Sequence, residues 1–199
     1  MKYLCLFILM HISFCLFAQE QSFTVGVGVS TNSHAIPVYT SISYNRKFNP
    51  YIGASGGIMF MSTKIKESWS GYYIDDDVYK LNGQLALDLF TPEFNNFGFY
   101  TNLSFMFELV PLDITKINKS IGEDYIQSTK FSKFNPAYFA EAGLSYRTEK
   151  LKFSLGLTST NYDPFSGYRR VKINGNSIKS HIPDKAIFWG ITFKIALIL

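Results

Sequence analysis

Residues 23–30 read Phe-Thr-Val-Gly-Val-Gly-Val-Ser, so large apolar residues alternate with small or polar ones. Successive side chains of a β-strand point to opposite faces, and this alternation therefore predicts a strand with one apolar and one polar face. The same period of two recurs along the chain in segments about ten residues long. The further segments are 38–45, 51–61, 81–89, 97–109, 138–147, 151–158 and 187–199.

The connections between these segments differ in length from one side to the other. Three are short and rich in turn-forming residues; they lie at 49–50, 91–96 and 148–150. The connections on the other side are long and polar; they are 62–77, 111–136 and 159–185. The first connection, 32–37, is short but lies on the same side as these long ones. Short turns at one end and long loops at the other are typical of outer-membrane barrels.

The polar face of the strands distinguishes a membrane barrel from a soluble one. A soluble barrel exposes many charged side chains to water, whereas the polar positions within these strands are mostly Gly, Ser, Thr, Asn and Ala. Small residues suit the packed interior of a narrow barrel, and the larger apolar face suits lipid. Aromatic residues near both strand ends are expected at the two membrane interfaces. They are Tyr44, Phe48, Phe90, Phe97 and Phe153 at one end, and Phe60, Tyr79, Phe107, Tyr138 and Trp189 at the other.

The composition agrees with an exported β-protein. Of 199 residues only 17% are charged, 19 are Phe and 13 are Tyr, which excludes a disordered chain. No run of about 18 apolar residues follows the N-terminal segment, which excludes a helical membrane protein. Residues 1–18, a basic start and an apolar run, predict a signal peptide cleaved after Ala18. Cys5 and Cys15 both lie inside it, so residues 19–199 are predicted to form one cysteine-free domain.

Over Phe23–Leu199 the chain resembles the small eight-stranded outer-membrane barrels of the OmpA/OmpX type. In the last segment, Gly190 precedes Phe193 and Ile195 at alternating positions, similar to the C-terminal recognition pattern of that family. The family usually ends in an aromatic residue, whereas this chain ends in Leu199. The resemblance implies an all-β fold, an eight-stranded antiparallel up-and-down transmembrane β-barrel. It also implies a place in the bacterial cell outer membrane, reached with the barrel-assembly machinery.

Charged residues on the polar face are predicted to form a network inside the barrel. They are Lys80, Asp88, Glu108, Glu141, Arg147, Lys152 and Lys194. Counting the hairpin register around residues 91–96 places Lys80 nearly opposite Glu108. Charges in a dry interior are costly unless they are paired, which favours ion pairs, with an acid–base pair of Glu108 and Glu141 as the alternative. Since an eight-stranded barrel is filled by side chains, no general diffusion pore is predicted.

A catalytic site in the loops is a further possibility. Some small barrels modify lipid A with a loop histidine, an acid and a serine, and His34, Ser68 and Asp76 could supply these residue types. No compact His-x-Ser motif is present, and the other histidine after the predicted signal peptide, His181, lies in the last long connection. The run Asp75–Asp77 could bind a hard cation through its oxygens but lacks the spacing of a calcium loop. The sequence therefore predicts no metal site and no cofactor.

The last long connection is basic. Arg169, Arg170 and Lys172 are candidates for charge-assisted hydrogen bonds to lipid phosphates, with ordinary solubility as the alternative. Aromatic residues are frequent in the long connections, where they either pack the loops together or present a binding surface. Export and a formal net charge of only +4 argue against a nucleic-acid partner.

These features together predict an outer-membrane protein with a structural, surface-interaction or adhesion-type role. Its expected partners are outer-membrane lipid and lipopolysaccharide, and the barrel is expected to be a monomer. Two alternatives remain. One is a lipid A-modifying enzyme, a deacylase or acyltransferase-like protein that uses loop residues. The other is a soluble periplasmic carrier of the lipocalin type, which would keep its apolar face inside.

Overall fold

A computed structural model describes residues 20–69, 71–110, 112–119, 125–131 and 135–199. In these ranges the chain forms twelve β-strands and two short 3-10 helices. The strands are β1 Glu20–Thr31, β2 Ala35–Lys47, β3 Ile52–Trp69, β4 Tyr72–Phe90, β5 Phe97–Glu108, β6 Leu112–Lys119, β7 Tyr125–Phe131, β8 Ala137–Arg147, β9 Leu151–Thr160, β10 Lys172–Ile173, β11 Asn176–Ser177 and β12 Phe188–Ile198; the helices are Tyr168–Arg170 and Lys179–His181. The predicted signal peptide, residues 1–18, lies outside the described residues.

Eight of the strands close into a barrel. Strands β1, β2, β3, β4, β5, β8, β9 and β12 follow one another around a ring of antiparallel pairs. The ring closes between β1 and β12, in a register that runs from Ser22 opposite Ile198 to Thr31 opposite Trp189. This confirms the predicted all-β, eight-stranded antiparallel barrel. Within the described ranges no helix is long and apolar enough to cross a membrane.

The outer and inner faces of the barrel differ as the alternation predicts. Large apolar residues point outward on every barrel strand; Val25 of β1 is 51% exposed and Leu157 of β9 is 69% exposed. The residues between them point inward, and Thr24 and Thr158 on the same two strands are buried. A band of exposed apolar side chains therefore encircles the barrel, and the residues that alternate with them face its interior.

Glycines on β1 and β9 make room for large inward side chains. A Cβ atom at Gly28 would lie 2.4 Å from the ring of Tyr39 on β2. At Gly156 a Cβ atom would lie 2.5 Å from the hydroxyl oxygen of Tyr100 and 2.8 Å from Cγ of Glu141. All three large side chains are buried. The two glycines thus allow a narrow barrel to hold them.

The segments predicted as long polar loops contain more strand than expected. Most of 62–77 belongs to the hairpin β3–β4, which rises well past the barrel at the long-loop end. The alternation persists there, with Thr63 and Ile65 completely buried inside and Lys64 exposed outside. Charged residues on the outer face make this segment polar overall, which is why it reads as a loop.

The other two long segments are also ordered in the described part of the chain. The 111–136 segment contains the hairpin β6–β7, and the end of β6 pairs with the start of β4. The 159–185 segment contains both 3-10 helices and the two-stranded hairpin β10–β11. The long-loop end is therefore a folded extension of the barrel.

Candidate functional site

The middle of the barrel interior holds a buried acid, Glu141 of β8. One of its oxygens lies 2.6 Å from Nζ of Lys194 on β12, and the other accepts a hydrogen bond from the hydroxyl of Tyr100 on β5. The Glu141 side chain is completely buried, where a lone carboxylate would be strongly destabilising. These two contacts connect β5, β8 and β12 across the lumen.

A second ion pair and an apolar cluster also fill the lumen. Nζ of Lys80 on β4 is 3.1 Å from the carboxylate of Glu108 on β5, and both side chains are 5% exposed. The rings of Tyr39 and Phe139 meet edge to face with their centres 5.1 Å apart. They belong to a cluster of Tyr39, Met59, Met61, Met106, Ala137, Phe139 and Tyr162. Packed side chains, charged and apolar, thus occupy the interior.

Further charged residues lie at the short-turn end. Arg147 lies 2.5 Å from Glu20, and Lys152 lies 3.5 Å from Glu93. Asp88 accepts a 2.6 Å hydrogen bond from a side-chain amide on β5. Sequence reasoning missed both glutamates, because Glu20 precedes the first clear alternation and Glu93 lies in a turn.

The seven charged residues proposed for the interior therefore fall into separate groups. Among the described residues, Lys80 contacts Glu108, Lys194 contacts Glu141, Arg147 and Lys152 contact acids outside the proposed set, and Asp88 has an amide partner. Cavities of about 40 and 70 Å³ remain in the lumen. Both are far smaller than the roughly 300–1,000 Å³ of a typical small-molecule site.

The long-loop end has an apolar core of its own, which we call the cap. It joins the ends of β3 and β4 to β6 and to the last long segment. Its buried residues are Ala35, Ile65, Ile74, Val78, Ile117, Phe165, Tyr168, Val171, Ile173, Ile178, Ile182 and Phe188, with Trp69, Tyr72 and Ile126 packed against them. A shared core of this size gives the cap a defined shape.

Tyr168 anchors the last segment in the cap. Its side chain is completely buried, and its hydroxyl donates a 2.6 Å hydrogen bond to Asp76 of β4. Burial raises the pKa of the Tyr168 hydroxyl above its ordinary value, and the hydrogen bond to Asp76 raises the pKa further. The hydroxyl thus stays protonated and keeps donating. This observation gives Asp76 a structural role as the acceptor.

The three catalytic candidates are not brought together. Nδ1 of His34 lies 2.8 Å from a carboxylate oxygen of Glu67, while Asp76 is bound inside the cap. Ser68 is exposed and pairs with an exposed residue of β4, whereas Asp76 pairs with a completely buried residue of β3. Ser68 and Asp76 therefore lie on opposite faces of the β3–β4 hairpin, too far apart for a hydrogen-bonded triad.

A cleft of about 180 Å³ lies where β4 separates from its neighbours on one side. Strand β4 pairs with β5 from Asn82 to Phe90, and with β6 only at Tyr72 and Tyr73. On this side, the ladder in the described part of the chain is therefore interrupted between Tyr73 and Asn82. Asp76, Lys80 and Tyr168 line the cleft together with Ile114, but His34 and Ser68 do not. The cleft therefore does not assemble the proposed catalytic residues.

The three basic residues proposed to contact lipid phosphates have different surroundings. Lys172 is exposed and Arg170 is half-buried. The guanidinium of Arg169 donates to the carboxylate of Asp163 and, over 3.1 Å from Nε, to the carbonyl of Pro183. Arg169 therefore joins Asp163 and Pro183, two distant parts of the last long segment.

Loop aromatic residues pack on one another at the tip of the cap. Trp69 stacks on Tyr72 and on His181, with ring centres 6.1 and 5.8 Å apart. The stacking gives His181 a packing role. In the described ranges no group of three or more His, Cys, Asp or Glu side chains could hold a metal ion.

The closed ring of eight antiparallel strands and the outward apolar band decide the architecture. This is a closed, eight-stranded antiparallel β-barrel with an apolar outer face. No family model and no curated protein matches the chain. Among solved structures it is similar to Neisserial surface protein A, NspA, with 12% identity, a TM-score of 0.48, and 89% of this chain and 95% of that chain covered. It is also similar to Ail of Yersinia pestis, the attachment invasion locus protein, with 14% identity, a TM-score of 0.46, and coverage of 90% and 98%.

Proposed function

We propose that the protein is a non-enzymatic outer-membrane barrel whose cap forms a contact surface outside the cell, in a surface-interaction or adhesion-type role. The outward band supports the membrane location, because so continuous an apolar surface would be unstable in water. Aromatic residues at its upper edge fit the level of the lipid head groups. Among them, Trp189 is 65% exposed, and Phe60 stacks on Tyr79 with ring centres 6.1 Å apart.

The cap core is the observation that carries the proposed contact role. Loops that serve only as connections need no apolar core of their own, whereas a binding surface gains affinity when it is preorganised. Here two strands of the barrel wall extend into the cap, and buried side chains of the last segment pack against them. The proposed partners of the cap are lipopolysaccharide and the external surfaces to which the cell adheres.

The interior argues against the other functions considered. Ion pairs and packed rings fill the lumen, which fits neither a general diffusion pore nor a carrier with a ligand cavity. The separation of Ser68 from Asp76 argues against a lipid A-modifying enzyme that uses them. We also propose that the barrel acts as a monomer, inserts through the barrel-assembly machinery and has no nucleic-acid partner.

Single cysteines can test the membrane location and orientation, because the only cysteines, Cys5 and Cys15, lie in the predicted signal peptide. In Lys172→Cys the thiol lies on the exposed hairpin β10–β11, and in Lys150→Cys it lies in a short turn at the opposite end. We expect a membrane-impermeant maleimide to label Lys172→Cys in intact cells and Lys150→Cys only after the outer membrane is permeabilised. Labelling of both in intact cells, or of neither, would contradict the proposed orientation.

A deletion strain tests the contact role against the enzymatic alternative. Without the protein we expect fewer cells to adhere to a surface coated with lipopolysaccharide vesicles, and an unchanged lipid A acylation pattern in mass spectra. Complementation with the wild-type chain should restore adherence, and a chain lacking residues 172–177 should restore it only in part. Altered lipid A acylation with normal adherence would favour the enzyme.

A further inference from the structure

A cavity of about 70 Å³ lies at the short-turn end of the barrel, the end that faces the periplasm in the orientation proposed above. Its lining is unusually rich in charge. The charged residues that line it are Glu20, Arg46, Lys47, Asp88 and Lys152. This cavity is separate from the cap and plays no part in the proposed contact role.

Among the described residues, two of these cations have no acidic partner. Nitrogens Nε and Nη2 of Arg46 are buried and have no hydrogen-bond partner. In the described part of the chain, no carboxylate lies within ion-pair distance of Arg46 or Lys47. Buried guanidinium groups without a partner are strongly destabilising. A water molecule or an anion must therefore satisfy these donors.

Lys47 and Lys152 add positive charge at the same place. Their ammonium nitrogens lie 5.0 and 4.9 Å from the centre of the Phe90 ring, so they are no more than about 10 Å apart. Two like charges at this separation repel one another in a partly buried site. An anion that contacts both ammonium groups would offset this repulsion.

The neighbouring acids already have partners, except for one oxygen of Asp88. Glu20 lies 2.5 Å from Arg147, and Glu93 lies 3.9 Å from Arg147 and 3.5 Å from Lys152. Asp88 is bound to an amide through one oxygen, and its other oxygen is buried without a partner. This carboxylate would repel an anion, so an anion in the cavity has to bind next to Arg46 and Lys47 and away from Asp88.

We propose that Arg46, Lys47 and Lys152 form a binding site for one phosphate group at the periplasmic mouth of the barrel. A guanidinium binds two phosphate oxygens at once, and ammonium groups add compact charge. Free inorganic phosphate and the head group of an anionic phospholipid in the inner leaflet share this chemistry. Only the phospholipid source rests on the proposed membrane location.

Binding can be measured on the whole refolded chain in maltoside micelles, which contain no phosphate. Calorimetric titration with inorganic phosphate, and separately with phosphatidylglycerol against an uncharged glycolipid, should show saturable binding to one site. In the double variant Arg46→Gln, Lys47→Gln we expect the dissociation constant to rise at least about tenfold, as for the loss of one charge-assisted contact. The matched control, Lys64→Gln with Lys66→Gln, changes two exposed lysines at the other end and should bind as the wild type does.

The possible outcomes distinguish free phosphate from a phospholipid head group, and both from the absence of a site. Binding of free phosphate and of phosphatidylglycerol with equal loss in the double variant supports a head-group site, and binding of phosphate alone supports a free-ion site. No binding of either, or the same affinity in both double variants, would overturn the proposal and assign water to Arg46. Heat-modifiable migration on gels verifies folding, and Lys152→Gln replaces the double variant if that variant does not fold. Failure here leaves the cysteine-labelling result unaffected, so the two proposals are judged separately.

Discussion

Replacement of Lys194 by methionine is expected to lower the free energy of unfolding by about 3–5 kcal/mol, the usual cost of removing one partner of a buried ion pair. The change leaves the completely buried carboxylate of Glu141 without the ammonium that now lies 2.6 Å away. The measurement is equilibrium unfolding in urea, followed by tryptophan fluorescence of the refolded barrel in micelles.

The double variant Lys194→Met, Glu141→Gln is the control for this prediction. It removes both charges and keeps an acceptor for the hydroxyl of Tyr100, so we expect it to regain most of the lost stability. Lys172→Met, which changes an exposed lysine of the cap, should stay within about 0.5 kcal/mol of the wild type. If Lys194→Met unfolded at the same urea concentration as Lys172→Met, the Lys194–Glu141 ion pair would not contribute to the stability of the barrel.

Replacement of Tyr168 by alanine is expected to open the cap without unfolding the barrel. It removes a completely buried ring and the hydrogen bond to Asp76, a change that costs about 3–5 kcal/mol in a packed core. Since about 1.4 kcal/mol corresponds to a factor of ten, cleavage from the locally opened state should become at least 100-fold faster. Limited trypsin digestion with mass spectrometry would measure cleavage after Lys172 and Lys179.

Tyr168→Phe separates the two contributions of this side chain. It keeps the ring and removes only the hydroxyl, so we expect cleavage to accelerate about tenfold, in line with the loss of one hydrogen bond to a charged acceptor. The urea midpoint of the barrel should remain unchanged in both variants, because the cap core and the lumen cluster share no residue. Equal cleavage rates in wild type and Tyr168→Ala would show that the cap is not held by its core.

The sequence predicts the barrel well because each strand carries its own evidence. In 23–30 the outward valines and inward glycines are readable residue by residue, and a shift by one position would reverse every side chain. The Lys80–Glu108 contact follows from hairpin register alone, since both residues flank one short turn. Such information is local, so it can be read from the sequence without knowledge of the rest of the fold.

The cap and the short-turn end are less predictable because they depend on contacts between distant segments. Nothing near Tyr168 indicates that its hydroxyl meets Asp76, 92 positions earlier in the chain. The partner of Arg147 is Glu20, 127 positions away, at the start of the first strand. Residue type and loop location do not reveal which face of a strand a side chain occupies, and Ser68 and Asp76 lie on opposite faces of one hairpin.

The hairpin β3–β4 has a mechanical consequence. Its ladder runs without interruption from Trp69 opposite Tyr72 down to Ile52 opposite Leu89, so the tip and the barrel wall are one continuous ribbon. A pulling force on the tip, directed away from the membrane, acts along both strands, and the ladders that join the hairpin to β2 and β5 resist it in shear. Such a ribbon resists shear far better than a hairpin opened one bond at a time from its end. If a cell were tethered through this tip, the force of fluid flow on the cell would act directly on the strands of the barrel wall.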